Sequence, residues 1–65
     1  AVMEKGIDEI LKKLGHECIE IILAAKNPDS DDLKFEISDF MYHCMILMAQ
    51  KNITWAEIAG ELAQR

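Results

Sequence analysis

The stretch Lys26-Asn27-Pro28-Asp29-Ser30-Asp31-Asp32 divides the chain into two parts that share one periodicity. Proline cannot continue a helix, and Asn, Asp and Ser bond back to their own backbone, so the segment reads as a turn. Upstream of it, Ile7, Ile10, Leu11, Leu14, Cys18, Ile21, Ile22 and Ala25 recur at i, i+3, i+4 and i+7. That spacing predicts a helix from about Lys5 to Lys26. Gly15 interrupts it at a cost of about 1 kcal/mol relative to Ala and marks where a bend would fall. Downstream, Leu33, Ile37, Phe40, Met41, Cys44, Leu47 and Met48 repeat the pattern and predict a second helix ending at Lys51-Asn52. Asp29 or Ser30 is placed to cap it, and the acids at 29, 31 and 32 suit its positive N-terminal dipole. Thr54-x-x-Glu57 then spells a capping box, opening a short third helix through Ala63. The expected fold is all-α: an antiparallel helical hairpin plus a short C-terminal helix.

Sixty-five residues are read as one domain, 1–65, and a chain of this size buries only about 60% of its unfolded surface. The second helix is apolar over more than one stripe. Leu33, Ile37, Phe40, Cys44 and Leu47 form one face, and Met41, Met45 and Met48 widen it sideways. A hairpin and one short helix cannot cover both, so a homodimer completing a four-helix-bundle-like core is expected. Trp55 is expected to anchor the third helix. Cys18 and Cys44 have no CxxC spacing and lie in apolar stretches, which suggests buried, reduced thiols. No apolar run approaches the roughly 20 residues that span a bilayer, and no basic stretch precedes an apolar one as in a signal peptide. A cytoplasmic protein without a membrane partner is expected. Twelve acids against seven bases give a net charge of −5, which argues against nucleic acid as partner.

The acids are placed with more order than composition requires. Around a helix of 3.6 residues per turn, Glu17 and Glu20 fall about 60° and about 120° to one side of Leu14. Glu36 and Asp39 fall about 60° and about 120° from Leu33 in the same sense, with His43 between them at about 80°. Folding the two helices into an antiparallel hairpin brings these flanks to one side. Glu20 and Glu36 are each eight residues from Pro28, Glu17 and Asp39 each eleven, Lys13 and His43 each fifteen. Four carboxylates are therefore expected to converge at one level and edge of the groove, with a lysine and a histidine one turn beyond. Either acid pair alone reads most simply as a solvated face served by Lys13 and Lys34. Two pairs at matched levels beside an apolar stripe favour a bound cation, because like charges this close repel unless one is present. An all-oxygen cluster suits Mg²⁺, Mn²⁺ or Ca²⁺ rather than Zn²⁺; Mg²⁺, with Mn²⁺ as its substitute, is the expected ion and points to phosphate-ester or anhydride chemistry.

The ExxE of Glu17 and Glu20 and the ExxD of Glu36 and Asp39 resemble the signature of MazG-type all-α nucleotide pyrophosphohydrolases. Within that group, EKGIDEILKKLGHE (4–17), IILAAKN (21–27), EISDFMYHCMILMA (36–49) and ITWAEIAGEL (53–62) resemble the phosphoribosyl-ATP pyrophosphohydrolase family over nearly the whole chain. The resemblance implies Mg²⁺-dependent cleavage of the α–β phosphoanhydride of phosphoribosyl-ATP, giving phosphoribosyl-AMP and pyrophosphate in L-histidine biosynthesis. It implies that Glu17, Glu20, Glu36 and Asp39 hold the metal and do the catalysis. Lys13, Lys26 and His43 are candidates for substrate binding, the lysines as compact charges for phosphate. Two departures stand out. His16 occupies a position where the family usually has Glu, and the family's upstream segment, with an Arg and a Ser-Tyr-Thr run, is not among these residues.

Other readings start from the same residues. A MazG-like housecleaning pyrophosphatase would act on other (d)NTPs at the same acids. A di-iron carboxylate bundle would want Glu-x-x-His pairs, which this chain lacks. A non-enzymatic metal-binding or interaction module would use the helices without the chemistry.

Overall fold

The computed structural model describes residues 2–65, with side-chain surroundings from Gly6 onward. Three helices follow in order: α1, Val2–Ala25; α2, Asp31–Gln50; and α3, Trp55–Ala63. All regular structure among the described residues is helical, as the two periodic stretches and the capping box require. Helix α1 runs unbroken through Gly15. Helices α1 and α2 pack as the expected hairpin.

Local chemistry sets the ends of these helices. Bonds from Lys26 N–H to the Leu23 carbonyl (3.2 Å) and from Asn27 N–H to that of Ala24 (3.1 Å) tighten the end of α1 ahead of Pro28. At the start of α2, Asp29 supplies the side-chain bond, its Oδ1 accepting from Asp31 N–H at 3.0 Å. The Ser30 side chain makes no capping bond. At the end of α2, Asn52 takes φ 57°. Its N–H reaches the Ala49 carbonyl (3.3 Å), and the Ile53 N–H reaches that of Met48 (2.9 Å). This is a Schellman ending, in which an asparagine tolerates the left-handed backbone usually left to glycine. Thr54 caps α3 as its sequence predicts: Glu57 N–H donates to Thr54 Oγ1 (3.2 Å), and Thr54 N–H donates to the Glu57 carboxylate (2.8 Å).

The hairpin leaves its apolar surface largely uncovered. Among the described residues, Ala24 is the sole buried apolar side chain. The chain exposes 5314 Å², where a compact monomer of this mass would expose about 4,200 Å². Its radius of gyration is 13.9 Å, against about 11 Å for a compact chain of this length. Helix α3 does not close onto the hairpin. Between it and α2 lies an apolar groove of about 430 Å³ lined by Met41, Cys44, Leu47, Met48, Ile53, Trp55 and Ile58. Two expectations are corrected here. Trp55 is 52% exposed and lines this open groove rather than anchoring α3 in a core. Both thiols are free, but Cys18 is exposed and Cys44 half-buried, because one chain has too few layers to enclose them.

Candidate metal centre

Glu17 is the one buried charged residue among the described residues, at 7% exposure. Its position beside the apolar stripe of α1 turns it toward α2. There His43 Nδ1 donates to its carboxylate, 2.7 Å from one oxygen and 3.0 Å from the other. Asp39 lies one turn before His43 on the same face of α2. Ligand atoms of Glu17, Asp39 and His43 all fall within 4.8 Å of one another. Burial, and after it the neighbouring Asp39 carboxylate, holds the Glu17 carboxyl above the usual carboxylate range, while His43 pulls it back down.

Glu20 and Glu36 meet one level nearer the turn. They line an open cleft of about 300 Å³ together with Leu23, Ala24, Asn27 and Asp32. The four acids do not gather at one level: Glu17 and Asp39 stand together with His43, whereas Glu20 and Glu36 line the cleft three residues, about 4.5 Å of helix, nearer the turn. The pairs differ in setting: Glu17 is enclosed, whereas Glu20 is exposed and Glu36 half-buried.

His43 is not a turn beyond the acids, as residue counting alone places it. In a helix every Cα–Cβ bond tilts toward the N-terminus. In an antiparallel hairpin Glu17 therefore leans away from the turn and His43 leans toward it. The two tilts close an axial offset of four residues, about 6 Å. Lys13, the other residue counted to that level, is exposed and outside both groups, and Lys26 is exposed beside the cleft residue Asn27. Asn27 and Asp32 line the cleft, although the sequence assigns them only turn and dipole roles. Asp32 lies one turn before Glu36, and that i, i+4 spacing is the signal that places it there.

The donor set fits a hard divalent cation. The carboxylates of Glu17 and Asp39, on different helices, stand close together and supply the oxygen ligands such a cation prefers. A cation would offset the burial that raises the Glu17 pKa, and after it the repulsion from Asp39.

The chain is thus an all-α helical hairpin with carboxylates from both long helices along one edge. Comparison with known proteins makes the assignment particular. The family model described as phosphoribosyl-ATP pyrophosphohydrolase matches residues 2–65. The chain is 48% identical over 64 residues to the phosphoribosyl-ATP pyrophosphatase of Bacillus cereus strain AH187, covering 98% of this chain and 60% of that protein. It is also 48% identical over 64 residues to the histidine biosynthesis bifunctional protein HisIE of Caldanaerobacter subterraneus, covering 98% of this chain and 31% of that protein. No solved structure matches. The chain belongs to the phosphoribosyl-ATP pyrophosphohydrolase family. It spans less than two thirds of the length of these relatives.

Proposed function

We propose that this chain carries the hydrolytic site of a Mg²⁺-dependent phosphoribosyl-ATP pyrophosphohydrolase. It would cleave the α–β phosphoanhydride to phosphoribosyl-AMP and pyrophosphate, a step of L-histidine biosynthesis. The observation that supports this most is the meeting of Glu17 with Asp39 and His43, one level from Glu20 and Glu36, in a chain of this family.

Glu17, Glu20, Glu36 and Asp39 would hold Mg²⁺, or Mn²⁺ in its place. When bound, such a cation neutralises phosphate charge and acidifies a water. The remaining work falls to the chain itself. Glu17 and Asp39 would fix one end of the site, and the open cleft lined by Glu20 and Glu36 would admit the triphosphate. A carboxylate oxygen left free by the cation accepts the proton of the attacking water. Lys26, next to the cleft residue Asn27, and Lys13, outside both acid groups but one turn before Glu17, would be the chain's cations for phosphate oxygens.

The assembly proposed is a homodimer. The surface exposed beyond that of a compact monomer is roughly 1,100 Å² per chain, about what each partner of a large stable interface contributes. Light scattering should return twice the 7.4 kDa chain mass; a monomer at micromolar concentration would contradict it. No helix is long and apolar enough to cross a membrane among the described residues, and a cytoplasmic location is part of the same proposal.

A substrate panel tests the function. With Mg²⁺ present, phosphoribosyl-ATP should be hydrolysed faster than ATP, dUTP or the other (d)NTPs. Faster hydrolysis of those would favour a housecleaning pyrophosphatase, and Mg²⁺ binding without any hydrolysis would favour a non-enzymatic module.

A further inference from the structure

The Glu17 carboxylate is enclosed, and the one side chain that donates to it among the described residues is His43. Nδ1 stands 2.7 Å and 3.0 Å from its two oxygens, so a single N–H bridges both. The His43 side chain is itself 13% exposed, and the Tyr42 ring stands edge-on to it at 5.3 Å between centroids. Burial and this neighbour limit how the imidazole can turn. A carboxylate has room for four acceptor directions, and a donor lying between the oxygens leaves the outer lone pairs free for a cation. The ring nitrogen that reaches Glu17 is the one next to Cβ, so the hydrogen bond also fixes where the other ring nitrogen points.

We infer that His43 is a positioning residue: it holds Glu17 in the orientation that receives the cation and does not itself ligate the ion. This rests on the proposed cation site, and it deepens that reading by assigning a role to the histidine. A hard cation prefers the oxygen ligands that the carboxylates supply. Groups that orient metal ligands through a hydrogen bond matter nearly as much as the ligands, their loss costing about 10–100-fold in metal affinity.

The test uses Mn²⁺ alone as the probe, with binding followed by electron paramagnetic resonance on the whole chain, and two substitutions of opposite character. His43→Asn places an amide nitrogen where Nδ1 stands and loses the ring. His43→Phe keeps the ring and loses the donor. Wild-type protein should bind Mn²⁺, His43→Asn should bind within about 3-fold of it, and His43→Phe should bind about 10–100-fold more weakly. Pulsed measurements on the wild-type complex should show no directly bonded nitrogen. If His43→Phe binds normally and His43→Asn does not, the ring is needed as packing and the inference falls. A directly bonded nitrogen signal makes His43 a ligand and also overturns it. Failure of wild-type protein to bind Mn²⁺ overturns the cation site itself and the inference with it, a result distinct from the other two.

Discussion

The two acid pairs have nearly the same chemistry and different surroundings. Glu17 and Asp39 sit under the edge of the hairpin, one carboxylate buried and tied to His43. Glu20 and Glu36 stand three residues nearer the turn, in an open cleft among Asn27 and Asp32. Burial makes the first pair costly when empty and fixed in geometry, whereas water shields the second and leaves it free to move. The contrast suggests a division of labour: the deep pair anchors a cation, and the open pair adapts to the phosphate that arrives with it.

The sharpest way to break this contrast is to neutralise the enclosed pair and, separately, an acid at the rim of the open cleft. Glu17→Gln and Asp39→Asn should lower Mg²⁺-dependent kcat/KM by roughly 10³-fold, by analogy with the loss of a preorganised charge-stabilising group. Asp32→Asn, at the cleft rim, should cost about 10-fold or less in the same steady-state assay. Equal losses at both places would remove the distinction.

Titration probes the same difference without turnover. Glu17 has a folded pKa raised above its unfolded value, so the metal-free folded chain holds more protons across that interval. Its contribution to stability is therefore fully present at pH below the unfolded carboxylate pKa and is lost as pH rises through the folded pKa. Melting curves of metal-free Glu17→Gln protein should lack that decline. Because a cation competes with the proton for the carboxylate, Mg²⁺ should raise the wild-type Tm more at pH 8 than at pH 5. A Mg²⁺ effect independent of pH would place the ion away from Glu17.

The hairpin and the third helix were legible in the sequence because each rests on local signals. The 3.6-residue period marks α1 and α2, Asn27-Pro28 stops the first, and Thr54 with Glu57 opens α3. Counting outward from Pro28 brings all four acids to one level, whereas Glu17 and Asp39 lie three residues farther from the turn than Glu20 and Glu36, which line a separate cleft. What counting missed has physical causes. It ignores the tilt of side chains toward the helix N-terminus, which brings His43 back to Glu17 and leaves Lys13 outside. Choosing between Asp29 and Ser30 as the capping side chain depends on backbone angles that composition does not encode. The exposure of Trp55 and Cys18 reflects surfaces that these three helices do not cover among themselves.

Smaller effects sharpen the frame that holds the two levels. Thr54→Ala should destabilise the chain by about 1 kcal/mol in chemical denaturation, since it removes one half of the capping box. Gly15→Ala should stabilise it by about 0.5–1 kcal/mol, because a Cβ there meets nothing within 4 Å and α1 is unbroken at that point.

Locating Mn²⁺ by anomalous scattering in crystals of the loaded protein tests the central claim most directly. The expected result is an ion bonded to oxygens of both Glu17 and Asp39, with His43 still on Glu17 and with Glu20 and Glu36 reached directly or through water. An ion more than one side chain away from these four acids would contradict the site, whatever the hydrolytic activity turned out to be.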